Sequence, residues 1–414
     1  MTTIETTSVP PLVRPSGRPW EAPAQWWPGL TRANEAMDPP YGVLAWDALS
    51  HNAFDLLDRA AGKPLRIASK SVRVRGVLDA VLALPGWAGI LAYTLPEALW
   101  LAEDHDDVVV GYPSADRAAI ARLVADERLA SRVTLMVDDV AQLDLVDAVA
   151  APGARAQVRV CLELDASYRS PVAGHVGVRR SPVHDVGQAR RAAEAIVRRP
   201  GFRLVGMMAY EAQVAGLTNE GAGRGRVIRA LQRASVEELT QRRSAAVSAV
   251  RAVADLEFVN GGGTGSIEST SADPSVTEIA AGSGLFGPHL FDHYVHFTPA
   301  PAAAFALSVV RRPKPDTVTL MGGGWVASGP PGADRLPLVA WPEGLSMLPR
   351  EMAGEVQTPL RGRAARTMSV GDRVWLRHTK AGELSEHLAS FAVVHRGEVV
   401  GQLPTYRGEG KVFL

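Results

Sequence analysis

Between residues 65 and 283 the chain alternates between two textures. Short, almost unbroken apolar runs occupy 65–69, 89–94, 108–112, 133–137, 158–165, 204–211, 258–263 and 276–283. Stretches in which apolar residues recur at helical spacing lie between them, at 76–84, 96–103, 114–125, 139–149, 186–197 and 225–254. Pro96 and Ser114 stand where helix starts prefer proline and serine. A strand covered on both faces reads as a continuous apolar run, because neither face meets water. Eight strand–helix units in about 220 residues match a closed (β/α)8 barrel of the TIM type. An open doubly wound sheet is the competing fold, and polar residues at nearly every strand end favour the barrel.

The flanks read differently. Residues 1–40 are rich in Pro, Thr and Trp and are expected to be irregular, with Pro39-Pro40 at the end. A short apolar strand at 41–45 follows, then Asp47 as a candidate cap for a helix over 48–61. After Pro288 helical spacing stops. Strands are expected at 304–312, 317–322, 373–377, 391–396 and 398–402, with loops at 329–332 and 349–365. The expected class is α/β: an irregular 1–40, a barrel over 41–290 and a C-terminal β domain over 291–414. The 41–46 segment has the strand character to join that β domain instead.

Acids and bases balance at 44 each, so there is no electrostatic footprint for nucleic acid or an anionic membrane. No apolar run reaches the length of a membrane span, and 1–40 lacks the pattern of a signal peptide. The single cysteine, Cys161, excludes an internal disulfide and suits a reducing cytoplasm; its apolar surroundings make packing its expected role. The basic residues are lopsided. Only five are lysines (Lys63, Lys70, Lys314, Lys380, Lys411), against thirty-nine arginines.

One of those five, Lys70, ends the first barrel strand. Its amine can become a nucleophile when desolvated and form a Schiff base, which a guanidinium cannot do. A surface lysine at a strand edge is the bland alternative. Barrels carry function at the C-terminal ends of their strands. Those ends hold Lys70, the stretch from Glu163-Leu164-Asp165 to His175, then Tyr210-Glu211, the glycine-rich 261–266 loop, and Gly282-Ser283. In that loop, Gly261-Gly262-Gly263-Thr264-Gly265-Ser266, backbone N–H groups can approach an anion, hydroxyls add donors, and a following helix N-terminus would add its dipole. Tyr210 and His175 are each ambiguous alone: a core ring and a loop histidine are the simpler readings. An amine on one strand and a phosphate cradle two strands away suggest pyridoxal 5′-phosphate (PLP), which needs both anchors.

Together these marks resemble the fold-type III PLP enzymes, the group of alanine racemase, D-serine dehydratase and D-threonine aldolase. The resemblance runs from about Tyr41 to about Arg396. It rests on Ala68-Ser69-Lys70-Ser71-Val72-Arg73, on Asp165 with His175-Val176-Gly177-Val178, on the 261–266 loop and on Gly282-Ser283. Val370-Gly371-Asp372-Arg373-Val374-Trp375 resembles the C-terminal domain of the dehydratase and aldolase branch. The resemblance implies that Lys70 carries the cofactor, that Gly263, Thr264, Gly265, Gly282 and Ser283 hold its phosphate, and that Tyr210 lies near its ring. His175 falls where relatives often carry arginine near the cofactor. Alanine racemases place an arginine on strand eight; here the segment is Glu278-Ile279-Ala280-Ala281-Gly282, as in the dehydratase and aldolase branch. That branch also holds a divalent metal through a His-x-Cys or His-x-Asp pair. This chain has His378-Thr379-Lys380, and a protonated amine is no ligand, so no tightly bound metal is expected.

The expected activity is that of a cytoplasmic PLP-dependent lyase acting on a D-amino acid with a β-hydroxyl group, by dehydration or retro-aldol cleavage. Lys70 is its first catalytic residue, with His378 and Lys380 acting on the substrate. The resemblance also implies a homodimer. An amino-acid racemase is the alternative enzyme, and a non-catalytic PLP carrier the alternative from another class.

Overall fold

All eight apolar runs are strands of one closed, parallel barrel. In a computed structural model that describes residues 9–220, 225–380 and 382–414, they are Leu65–Ala68, Trp87–Ala92, Val108–Val110, Val133–Val137, Val158–Glu163, Phe202–Ala209, Phe258–Gly261 and Glu278–Ala281. Closure comes from the last strand pairing with the first, Ile279 opposite Leu65 and Ala281 opposite Ile67. Each strand sends at least one side chain into the interior: Ala68, Leu91, Val109, Met136, Cys161, Val205, Met208, Phe258 and Ala280. The barrel is therefore a packed core rather than a pore. Cys161 is buried within it, and burial pushes its thiol well above the usual range, which removes the reactive thiolate.

Arg66 lies on the same face of its strand as Ala68, because side chains two apart share a face. It is buried, and its guanidinium is matched by two carboxylates, with Nε 2.7 Å from Glu278 and Nη1 2.9 Å from Asp107. Asn260 donates a further bond to Glu278 at 2.9 Å. The outer helices start on side-chain caps. Thr94 accepts from Glu97 N–H, and Asp139 and Asp185 form capping boxes with Gln142 and Gln188. Ser114 does not begin its helix; Asp116 caps it and the helix runs Arg117–Ala125.

Contacts divide the described chain into two units. One holds Leu56–Lys70 and Leu82–Gly282, with Phe413–Leu414, and contains the barrel. The other holds the chain up to Asp55, then Ser71–Val81 and Ser283–Val412. Its centre is a nine-stranded sheet in which Tyr41–Ala45 sits between Ala303–Lys314 and Ser390–His395. Tyr41–Ala45 is thus a strand of the β-rich unit and not part of a contiguous 41–290 barrel, as the expected domain limits had it. Tyr41, Val43, Ala304, Trp375 and Ala392 form its core with Trp27 and Leu30.

Those last two residues correct another expectation. Residues 1–40 are not irregular throughout, since Pro23–Ala33 is an α-helix whose apolar face carries Trp27 and Leu30. The 349–365 loop likewise contains a strand, Gln357–Gly362, paired on both sides with Thr317–Met321 and Leu345–Met347. Pro359 in its middle hides it from sequence reading. Asp47 lies in the first turn of Trp46–Arg59, where its carboxylate accepts from the Arg396 N–H at 2.9 Å.

Candidate active site

The barrel's first and third strand ends are both tied to the second. Ser69 Oγ donates to the Leu91 carbonyl at 3.1 Å, and Gly111 N–H donates to the Ala92 carbonyl at 2.8 Å. These two bonds set Lys70 and Tyr112 side by side. Lys70 Nζ donates to Tyr112 Oη at 2.5 Å. Arg180 stands over the same phenol, with its Cζ 5.6 Å from the ring centroid, and lies 5.6 Å from the Tyr210 ring as well.

The two tyrosines respond in opposite senses. Burial would raise Tyr112, but the charge and hydrogen bond of Lys70, then the charge of Arg180, bring it below the usual tyrosine value. Tyr210 is pushed up to about 12, first by burial and then by the neighbouring Tyr112, against a smaller opposing effect of Arg180. Glu163, at the fifth strand end, is raised to about 7 by burial and then by Asp138; Arg180 counteracts in part. Asp138, just past the fourth strand, is itself raised by burial. The mouth therefore gathers several groups whose protons are easily moved, a common mark of functional sites.

The glycine loop is organised by Glu211. This buried carboxylate accepts from Ser266 Oγ at 3.0 Å, from Gly262 N–H at 3.3 Å and from Thr270 Oγ1, and it lies 3.4 Å from Arg243 Nη1. Gly262 has φ +82°, which favours glycine. At Gly263 an added Cβ would come within 2.9 Å of Ala215 and 3.1 Å of the Tyr210 ring. The loop's backbone thus lies directly against Tyr210. Two expectations change here. The Ser266 hydroxyl is committed to Glu211, so it is not a donor for an anion. The following helix, Ile267–Ser271, spans only five residues, too short to add much of a dipole. Thr264, Gly265 and Gly282 are buried at these strand ends.

The remaining expected residues lie elsewhere. His175 is on a short hairpin, Tyr168–Ser170 with Gly174–Val176, opposite Arg169, and its Nε2 has no hydrogen-bond partner. The cation that reaches both rings is Arg180, five residues further on. In the β-rich unit, Ser283 Oγ is 3.1 Å from Ser71 Oγ. His378 is buried edge-on to Phe286, and burial, then Arg377, lowers its pKa to about 3. Lys380 Nζ donates to Ser328 Oγ at 2.9 Å, and Ser328 Oγ donates to Glu383 at 2.5 Å. Among the described residues no three His, Cys, Asp or Glu side chains stand together as a metal site. That unit also has a cavity of about 630 Å³, lined by Arg18, Trp20, His51, Asp55, Asp292 and Arg377 among others. No helix among the described residues is long and apolar enough to cross a membrane.

Sequence reasoning missed Tyr112 and Arg180, and it named Glu163 only as part of the fifth strand end, with no role. Two of them carried a readable signal, because Tyr112 and Glu163 stand at strand ends of a barrel.

Residues 44–289 match the family model for the alanine racemase N-terminal domain, over more than half of the chain. The chain belongs to the alanine racemase N-terminal domain family. Solved structures extend the likeness through the β-rich unit. D-threonine aldolase from Filomicrobium marinum is similar with a TM-score of 0.74 at 19% identity, covering 91% of this chain and 96% of that one. D-threo-3-hydroxyaspartate dehydratase from Delftia sp. HT23 gives 0.67 at 20% identity, covering 91% and 98%. Alanine racemase from E. faecalis gives 0.58 at 14% identity, covering 84% and 92%. At such identities the likeness establishes the fold. No curated protein sequence matches the chain.

The alanine racemase family's fold implies PLP, and the residues present fit that group. A primary amine, the group an aldehyde anchor requires, stands at the first strand end, where it bonds the Tyr112 hydroxyl. A glycine backbone with no room for a Cβ lies one side chain away, against Tyr210, with the hydroxyl-bearing Thr264 next in the loop. The Arg180 guanidinium supplies positive charge between them.

Proposed function

We propose that this member of the family is a PLP-dependent lyase that acts on a D-amino acid bearing a β-hydroxyl group. The observation that carries the reading is the Lys70 amine at the first strand end of a family barrel, held on Tyr112. Lys70 binds the aldehyde. The 263–265 backbone, Thr264 Oγ1 and Gly282 bind the phosphate. Arg180 fixes positive charge over Tyr112 and Tyr210. Tyr210 stays a neutral phenol and acts as a wall of the site. Bound there, the cofactor supplies an electron sink for a bond breaking at the substrate. The freed Lys70 amine is then placed to hold or move a proton.

Substrate class is supported by the structural neighbours, an aldolase for D-threonine and a dehydratase for D-threo-3-hydroxyaspartate, whose substrates both carry a β-hydroxyl. Strand eight favours a lyase over an alanine-type racemase, because Glu278 is turned to Arg66 and Asn260 and the strand carries no arginine. The proposal extends to Lys380, whose ammonium would supply fixed charge at the position where the resemblance expects a metal ligand. Lys380→Ala is expected to abolish turnover with cofactor content unchanged. A stoichiometric metal that disappears in His378→Ala would contradict this. The proposed assembly is a homodimer, which light scattering tests.

The deciding experiment incubates purified protein with D- and L-serine, D- and L-threonine, D-threo-3-hydroxyaspartate and D- and L-alanine. Ammonia, aldehyde and inversion are assayed separately. Ammonia or aldehyde from a D-β-hydroxy substrate is expected. Inversion alone would make the protein a racemase, and bound PLP without turnover would make it a carrier.

A further inference from the structure

Tyr112 has no role in the function just described beyond contact with Lys70, yet its placement is heavily specified. The Ser69–Leu91 and Gly111–Ala92 bonds clamp both residues to the same neighbouring strand. Their approach is thus set by the barrel's backbone and not by a flexible side chain alone. Lys70 Nζ meets Tyr112 at the hydroxyl, 2.5 Å from Oη and 5.2 Å from the ring centroid.

We infer that Tyr112 takes and returns the proton of the Lys70 amine, so that the two side chains act as one proton-sharing pair. The inference rests on Lys70 being the cofactor-binding amine. In the attack on an aldehyde, the proton on Nζ first passes to Oη, leaving a neutral amine. As the N–C bond forms, the carbonyl π pair moves onto oxygen, which takes up the two protons left on nitrogen and departs as water. When the amine is displaced the proton returns. The transfer runs along the Nζ–Oη hydrogen bond from ammonium to phenolate, and the step needs no reactant beyond the aldehyde.

Tyr210 serves as an internal control. Arg180 stands 5.6 Å from both rings, so it does not distinguish them. Lys70 donates to Tyr112, whose pKa is lowered while that of Tyr210 is raised. Among the described residues, the charged and titratable groups facing the pair include Arg180, which favours phenolate, and Glu163, which opposes it; Tyr210 adjoins Tyr112, and Asp138 and Asp165 act on Glu163. Glu163 carries a raised pKa of about 7, so below that value its opposition weakens.

The test has two arms on the full-length chain. The first follows phenolate absorbance against pH after the cofactor has been stripped. One of the seven tyrosines should ionise below the ordinary value of about 10. That early transition should be lost in Tyr112→Phe and should move above the ordinary value in Lys70→Met. Seven tyrosines ionising together, or an early transition that survives Tyr112→Phe, would overturn the pair. The second arm adds PLP and measures borohydride-trapped incorporation at the Lys70 peptide. Tyr112→Phe keeps the ring, so final stoichiometry should hold while the rate at neutral pH falls at least about tenfold, the low end of acid–base effects being larger still. An unchanged rate would make Tyr112 merely structural. PLP trapped on no lysine would refute the reading of Lys70, and the absorbance arm would still decide the pair.

Discussion

Two cations four residues apart at the first barrel strand have opposite surroundings. Arg66, inside the barrel, is matched by Glu278 and Asp107, and Asn260 holds Glu278 in place. Burial alone would weaken its charge, but the two carboxylates more than restore it. Lys70, at the mouth, is met by a phenol whose own proton is loosely held. The first cation cannot give up its proton and is buried among ion pairs that serve the fold. The second is a group that can, facing a partner that can receive it. Charge compensation by carboxylates marks structure here, and compensation by a titratable phenol marks chemistry.

The sharpest way to break that comparison is at Arg66. Arg66→Ala leaves Glu278 buried without its cation and should cost about 3–5 kcal/mol in urea unfolding, while folded protein still accepts PLP at Lys70. In the loop after the seventh strand, Thr264→Ala should weaken PLP binding by about 1.5–3 kcal/mol, read as cofactor affinity, with stability little changed. Equal PLP affinity would remove Thr264 from the phosphate site.

Glu163→Gln, at the fifth strand end, tests the barrel mouth by pH. The folded carboxyl keeps its proton up to about pH 7, whereas the unfolded one loses it near the ordinary glutamate value. The unfolded state therefore binds fewer protons in that window, so this group lowers stability as pH rises through it, with the full penalty above about 7. Without cofactor, Glu163→Gln should be more stable than the parent at pH about 8, by on the order of 1–3 kcal/mol, and equal to it at pH about 4. The smallest effect is expected at Lys70 itself. Lys70→Ala should change stability by less than about 1 kcal/mol, because both Lys70 and Tyr112 are only half-buried.

Much of this was legible in the chain. Strands buried on both faces betray themselves as continuous apolar runs, and all eight became barrel strands. Lys70 stood out because lysine is scarce. What stayed hidden depends on distant pairing. Tyr41–Ala45 had the strand character to join the β domain, but its particular partners, Ala303–Lys314 and Ser390–His395 more than 250 residues on, are not announced locally. Gln357–Gly362 carries a proline that reads as a loop. Arg180 is one arginine among thirty-nine, and only the fold brings it over the two rings, while His175, the residue the resemblance singled out, stays on the 168–176 hairpin. Glu211 was visible as a strand end, but its service to Ser266, Thr270 and Gly262 requires the loop's actual course.

The central claim is that Lys70 is the cofactor-binding amine. Its most direct test is to load the full-length chain with PLP, reduce with borohydride, digest, and find the modified peptide by mass. The account predicts one label per chain, on the peptide containing Lys70, and none in Lys70→Ala. Label on Lys63, whose amine is already bound to the Asp273 and Val276 carbonyls, or no label on any of the five lysines, would contradict it.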